Sequence, residues 1–323
     1  MSRLDYLKRI FLAYLTKKPS QLTFWHGIPD VNPNANYEEL GEYYQLFDYK
    51  ADYDDYFDGK GVILLDYQGE IGKQYYPIAI AQYGLACFNR YKRTGDKTWL
   101  EKARVQGDWL VDHLVQNGKG CYLWYANFDW EDRELLKAPW PSALAQGNGI
   151  SLLLRLYQET KDKRYLETSE KAYHGLTTEI KNGGVAFIDE KGNLWLEEYI
   201  VEPPTHILNG FMWTIMGVYD YFLITKNKTV KDLLENCLRT LERNMYKFDS
   251  GYWSLYDLSE TKIKNLASLF YHKLHIAQLD ILYKMSSVQI FKEYKNKWKI
   301  HLGNNFGRMK ALFLKLIFKS VYF

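Results

Sequence analysis

Long apolar stretches recur along this chain, and each is followed by an amphipathic one. The first runs from Tyr76-Pro77-Ile78-Ala79-Ile80-Ala81-Gln82-Tyr83-Gly84 to Tyr91, turns at Thr94-Gly95-Asp96, and gives way to a helix-period pattern from Trp99 to Leu114. The second opens at Trp140-Pro141-Ser142-Ala143-Leu144-Ala145-Gln146-Gly147, reaches Tyr157, turns at Lys161-Asp162-Lys163 and continues from Tyr165 to about Glu179. The third begins near Ile207-Leu208-Asn209-Gly210, turns at Lys226-Asn227-Lys228 and ends near Asn244. The fourth runs from Tyr271 through Leu282, turns at Ser286-Ser287 and ends near Ile300.

Each unit reads as a helical hairpin of about 40 residues with one apolar and one amphipathic helix. A hairpin of this kind buries its apolar helix only against neighbouring hairpins, so the pattern predicts a mainly α fold, an (α/α) toroid of about four helical hairpins with the apolar helices innermost. Three connections between units carry a glycine followed by alternating aromatics: Gly120 to Tyr125, Gly184 to Ile188 with Leu194 to Tyr199, and Gly251 to Tyr256. They predict short β-hairpins. All three join an outer helix to the next inner one, which places them on one rim, where a cleft is expected.

The first residues lie outside the repeat. Between Asp48 and Asp58, acidic residues alternate with Tyr49, Tyr53, Tyr56 and Phe57 before Gly59-Lys60-Gly61, a pattern read as a cap on the toroid rather than a cation site. The organisation is therefore an extension or cap over residues 1–60, a toroid over 61–303, and a basic amphipathic helix over 304–323. At the two ends, Leu4, Leu7, Ile10, Phe11 and Tyr14, and Met309, Leu312, Phe313, Leu316, Ile317 and Val321, repeat at helical spacing beside lysines that include Lys310, Lys315 and Lys319. Such helices fit an anionic membrane surface or the domain itself. The apolar run of residues 1–15 is too short and too interrupted by charge for a signal peptide or a membrane span, which predicts a cytoplasmic protein, peripheral to the inner face of the membrane.

Composition narrows the chemistry. The chain is 47% hydrophobic, enough for a large core, and its net charge of +3 is too small for a nucleic-acid-coating protein. Twenty-eight tyrosines and ten tryptophans suit a sugar-binding cleft, where apolar sugar faces stack and hydroxyls need partners, or equally an aromatic helical core. Cys87, Cys121 and Cys237 lie far apart without metal-ligand spacing. His272 and His275, three residues apart, lack a third ligand, so no metal is expected. No nucleotide or nicotinamide fingerprint is present, and no cofactor is expected.

Three segments should meet at the cavity mouth. The second rim loop carries Glu197, Glu198 and Tyr199, the third carries Tyr256 and Asp257, and the fourth inner helix opens with Tyr271, His272 and His275. Tyrosines beside a carboxylate form a candidate acid/base set. Gln82, Gln146 and Asn209 recur near the starts of apolar helices; they either line the cavity or hydrogen-bond helix to helix.

With these motifs in order, the chain from Tyr75 to Ile300 resembles the C-terminal catalytic domain of the heparosan-N-sulfate-glucuronate 5-epimerases, the D-glucuronyl C5-epimerases. The resemblance is carried by Tyr75-Tyr76-Pro77-Ile78 with Ile80 to Leu85, Ala145-Gln146-Gly147, Glu197-Glu198-Tyr199, Leu208 to Met212, Ser254-Leu255-Tyr256-Asp257-Leu258, and Tyr271-His272 with His275-Ile276. It implies an α-helical toroid and an enzyme that converts glucuronate to iduronate within a heparosan-like polymer. It also implies that Glu198, Tyr199, Tyr256 and Tyr271 are the active-site residues, Glu198 and Tyr271 as the acid/base pair and Tyr199 and Tyr256 as stabilising donors. Gln82, Gln146, Asn209, His272 and His275 are then candidate substrate contacts. The expected partners are an acidic polysaccharide, not nucleic acid, with the C-terminal helix on a membrane and a second copy in a homodimer. Two departures stand out: the family's Arg-His after Tyr-Asp-Leu is Ser259-Glu260, and its Pro after Glu-Tyr is Ile200.

Three rival readings share these residues. A uronate polysaccharide lyase starts from the same C5 proton abstraction, a glycoside hydrolase would pair Glu198 with Asp257, and a non-catalytic glycan-binding protein would need neither.

Overall fold

A computed structural model describes residues 24–67, 69–131 and 135–322. The apolar pattern at Leu4 to Tyr14 and the start of the 1–60 extension lie outside the described residues.

Eight helices form the four expected hairpins: α1 (Pro77–Thr94) with α2 (Lys97–Asp112), α3 (Ala143–Thr160) with α4 (Lys163–Thr177), α5 (Leu208–Thr225) with α6 (Lys228–Asn244), and α7 (Leu269–Ser286) with α8 (Gln289–Gly303). The odd-numbered helices are buried nearly all round, whereas the even-numbered ones bury a stripe. Consecutive inner helices pack side by side, α1 on α3, α3 on α5 and α5 on α7, with outer helices behind them: an (α/α) toroid.

One turn chemistry repeats at the far end of the hairpins. The inner helix stops at a left-handed residue, Gly95, Lys161, Lys226 or Ser287. In the first three, the next side chain, Asp96, Asp162 or Asn227, accepts from a backbone N–H of the outer helix, satisfying an otherwise orphan donor. Each helix extends a turn or less beyond the apolar pattern, because the cap, not the last apolar residue, ends it.

The α3–α5 crossing is close because of two glycines. A Cβ on Gly147 would lie 2.7 Å from the Thr214 Cα, and one on Gly217 would lie 2.4 Å from the Gly147 carbonyl oxygen. Backbone therefore meets backbone there, and any side chain would force the inner ring apart.

Residues 24–66 run across the inner face. Tyr43, Tyr44 and Phe47 are fully buried. The Tyr43 N–H donates to Asn89 of α1 (2.6 Å), the Tyr44 hydroxyl donates to Asp220 of α5 (2.5 Å), and Trp213 donates to Gln45 (2.8 Å). Asp220 also holds the buried Arg155 of α3 at 2.5 Å, and Arg155 donates to the Gly41 carbonyl. The acidic residues of this segment are structural in part: Asp48 pairs with Arg93, and Asp52 with Arg90.

The rim connections form as predicted for two of three. Val115–Gln116 pairs with Tyr122–Leu123, and Ala186–Ile188 with Leu194–Leu196. The third, around Gly251 to Tyr256, holds only isolated bridges, Asp249 to Ser254 and Leu255 to Leu266. Its backbone bonds are divided between two neighbours, since the Tyr256 N–H donates to the Asn265 carbonyl while the Tyr256 carbonyl accepts from Leu208. The C-terminal helix α9 (Asn305–Tyr322) lies against this third connection, where the Tyr322 hydroxyl accepts from the Lys262 N–H.

Candidate active site

The rim holds the four residues singled out from sequence. Glu198 and Tyr199 follow the Leu194–Leu196 strand and are buried, with the strand's continuation tied to α3 by the Ala143 N–H donating to the Glu197 carbonyl (2.9 Å). Glu198 lies against the first turn of α5: a Cβ on Gly210 would stand 2.1 Å from its Oε2. Tyr256 and Tyr271 are half-buried and meet edge to face, their ring centroids 4.9 Å apart. Tyr199 packs edge-on to Trp140, 5.6 Å between centroids.

Tyr76, the N-cap residue of α1, connects these groups. Burial raises its pKa well above the usual phenol value, and the nearby Tyr67, Glu198 and Tyr271 raise it further. The acid of the second rim loop and the tyrosine of the fourth inner helix therefore both lie within electrostatic reach of one neutral phenol. The N-terminal segment completes this wall. The His26 ring lies 6.4 Å from Tyr271 and the Trp25 ring 5.8 Å from Tyr76, and the Tyr49 ring packs on Gly27, its pKa raised by burial and then by Tyr271. Tyr76, His26 and Tyr49 are site neighbours that the sequence reading left out. A signal existed for Tyr76, since Tyr76-Pro77 and Trp140-Pro141 are equivalent positions of the repeat.

Glu197 differs from its neighbour Glu198. It is buried and engages His206 twice, Oε1 at 2.5 Å from Nδ1 and Oε2 accepting from the His206 N–H at 3.2 Å. His206 holds a left-handed backbone (φ 52°) and stacks on Trp195. This pair pins the loop that carries Glu198.

The five candidate substrate contacts separate. Gln82 is fully buried in α1, with neither amide atom hydrogen-bonded, and the Asn209 side-chain oxygen of α5 is likewise unbonded. Gln146 is fully committed: it accepts from the Trp124 N–H and donates to the Tyr122 and Ala172 carbonyls, clamping a rim loop to α4. His272 and His275 are turned toward α8. His272 stacks on Trp253 at 3.8 Å, accepts from the Ser254 N–H through Nδ1, and donates through Nε2 to the Trp298 carbonyl. The Ser254 hydroxyl lies 3.0 Å from His275 Nδ1. Burial pushes the His272 pKa down to about 3 and that of His275 well below its usual value, so both are neutral. Gln146 and His272 are thus placed as structural bonds rather than facing the tyrosines, because an outer-facing carbonyl was available to each, whereas the fully buried His275 meets only the Ser254 hydroxyl and leaves its Nε2 unbonded.

The basic face expected of the C-terminal helix is also rearranged. Lys315 is only 6% exposed and points inward with Ala311, Leu312 and Phe318, whereas Phe306, Met309 and Phe313 are exposed. Among the described residues no group of three His, Cys, Asp or Glu side chains is arranged to hold a metal, and no helix is long and apolar enough to cross a membrane.

Residues 116–300 match the family described as D-glucuronyl C5-epimerase C-terminus. A D-glucuronyl C5-epimerase of Caenorhabditis elegans is 29% identical over 217 residues, which cover 62% of this chain and 34% of that protein. An uncharacterized protein of Methanocaldococcus jannaschii is 26% identical over 245 residues, 71% of this chain and 78% of that one. A protein of known structure from Listeria innocua aligns with a TM-score of 0.49 at 16% identity, covering 76% of this chain and 73% of the other. The match thus spans about a third of the C. elegans protein's length.

Proposed function

We propose that this chain, which belongs to the D-glucuronyl C5-epimerase C-terminus family, is an isomerase that inverts C5 of glucuronate residues in a heparosan-like acidic polysaccharide. The observation that supports the reading is that Glu198 and Tyr271, from different rim segments, both lie near the Tyr76 phenol, with Tyr256 edge to face on Tyr271.

The chemistry asks for two groups on opposite faces of the sugar. One removes the C5 hydrogen as a proton, and the electron pair of the C–H bond passes into the adjacent carboxylate to give an enediolate. The other returns a proton to C5 from the opposite face, so composition is unchanged and only configuration differs. Glu198 and Tyr271 are assigned to these roles. They come from different rim segments, which allows a sugar ring to lie between them. Tyr199 and Tyr256 stabilise the enediolate as hydrogen-bond donors, an interaction stronger in the intermediate than in the substrate. Gln82 and Asn209, whose unbonded amide atoms lie in the first turns or so of α1 and α5, are the retained candidates for sugar contacts.

The test is incubation with heparosan in deuterated water, read by NMR at C5 and by ultraviolet absorbance. Deuterium at C5 with new iduronate signals is the expected result. Unsaturated uronate ends would make the protein a lyase, and the absence of both across glucuronate polymers would defeat the enzymatic reading.

We further propose that the outward face of α9 rests on an anionic bilayer. Phe306, Met309 and Phe313 project from it beside Lys310, a combination that inserts apolar side chains at the level of acidic headgroups.

A further inference from the structure

Ser259-Glu260, directly after Tyr256-Asp257-Leu258, bring no cation, and the lysines further along the same segment, Lys262 and Lys264, are exposed. Asp257 is buried and accepts from the Ser259 N–H (3.0 Å) and the Ser259 hydroxyl, and the Asn265 amide nitrogen donates to its other oxygen at 2.7 Å. The amide oxygen of the same Asn265 accepts from Lys315 of α9 at 2.7 Å. Asn265 thus stands between a carboxylate and an ammonium with both ends of its amide oriented, and its carbonyl accepts from the Tyr256 N–H. The Lys315 ammonium lies 5.6 Å from the centre of the Tyr256 ring, whose edge-to-face partner is Tyr271. Lys315 is buried, so water screens its charge weakly.

We propose that Lys315 is the electropositive member of this site, carried in by the C-terminal helix and aimed by Asn265 to bind the carboxylate of a uronate residue. The proposal rests on the epimerase reading for its chemistry. Removing the C5 proton turns a carboxylate with one negative charge into an enediolate with two. A fixed cation that faces the growing charge favours the intermediate over the substrate. On this view α9 is part of the active site, and the helix that faces the bilayer on one side supplies the charge on the other. Lys315 takes no proton from C5; it acts by charge and position.

The experiment uses the full chain, soluble heparosan oligosaccharides and their carboxyl-reduced counterparts. Wild type, Lys315→Met, Lys315→Arg and, as a surface control, the exposed Lys299→Met of α8 are compared for C5 deuterium exchange and for binding. The expected result is an about 100-fold lower kcat for exchange in Lys315→Met with a much smaller change in KM, partial recovery in Lys315→Arg, and no change in Lys299→Met. Wild type should prefer the acidic oligosaccharide, and Lys315→Met should lose that preference. Exchange in Lys315→Met within threefold of wild type would overturn the assignment and leave the epimerase standing. If wild type exchanges no C5 proton, the reaction reading fails, and carboxylate preference alone decides: lost in Lys315→Met, it upholds the site; unchanged or absent in wild type, it overturns it. Should Lys315→Met not fold, Asn265→Ala is read in its place, with an exchange rate equal to wild type overturning the proposal.

Discussion

Tyr256 and Tyr271 meet edge to face, their centroids 4.9 Å apart and their planes at 70°, although one lies in an irregular rim connection and the other in the first turn of α7. The contact joins the third connection to the fourth hairpin at the point where the chemistry is proposed. Tyr271→Phe keeps the ring contact and removes the hydroxyl. It should lower C5 exchange by about 10²- to 10⁴-fold while leaving the unfolding midpoint within a few degrees of wild type. Tyr256→Phe should lose less, because its proposed role is stabilisation rather than proton transfer. Exchange measured by NMR beside thermal unfolding checks both.

Gly210 gives Glu198 its position. Gly210→Ala would place a methyl 2.1 Å from the carboxylate oxygen and 2.9 Å from the Glu198 Cβ. The acid must move, since the three atoms nearest the new methyl all belong to Glu198. The expected cost is about 1–3 kcal/mol of stability together with a loss of exchange comparable to Glu198→Gln. Denaturant unfolding and the exchange assay, run on the same preparation, separate the two effects.

Arg155 and Asp220 form an ion pair with both side chains fully buried. Asp220→Asn leaves the guanidinium in the inner ring without its counter-charge, and the Tyr44 hydroxyl loses a charged acceptor. The expected destabilisation is about 3–5 kcal/mol. A chemical denaturation midpoint unchanged from wild type would contradict the placement of residues 40–47 across α3 and α5.

His272 and His275 predict an acid-sensitive fold. Their folded pKa values lie below the usual 6.5, so between pH 6.5 and the folded value the unfolded chain binds more protons than the native one. Stability is therefore fully present above pH 6.5 and falls as pH drops, by about 1.4 kcal/mol per pH unit for each histidine. The unfolding midpoint should decline steadily from pH 6.5 to 5, above the range where ordinary carboxylates titrate. His275→Gln should make the slope shallower without abolishing it, since His272 and the partly buried His301, whose pKa burial also lowers, remain. A flat profile over that interval would show the imidazoles to be solvated.

The outward face of α9 predicts binding to vesicles that contain phosphatidylserine and none to neutral ones. Phe306→Ser with Phe313→Ser removes two exposed aromatics without touching Lys315 or the buried face. Sedimentation with vesicles should fall at least tenfold in the double variant, since each ring buried at the interface adds binding free energy. Exchange on soluble oligosaccharides should be unaffected.

Local periodicity determined much of this protein by itself. The helix pairs, their turns and the identity of the inner helices follow from where apolar residues lie along the chain, since helix geometry relates positions three and four apart without reference to anything distant. The rim that gathers Glu198, Tyr256 and Tyr271 was legible for the same reason: every long connection leaves an outer helix and enters an inner one. What periodicity does not contain is direction within a helix that is apolar all round. Gln82 and Gln146 occupy equivalent positions, yet Gln146 is drawn outward by the Tyr122 and Ala172 carbonyls while Gln82 has no such partner. His272 turns to Trp298 although Tyr271, one residue earlier, turns to Tyr256. Only the tertiary structure brought His26 and Tyr49 to the site and turned Lys315 inward, because those contacts join residues more than 200 positions apart or, for Lys315, 50 from its partner Asn265. A lysine between leucines, in Leu314-Lys315-Leu316, reads as the polar edge of an amphipathic helix. Its burial was decided by Asn265 and Asp257, a polar pair on another element waiting for a cation, and that complementarity exists only once the chain has folded.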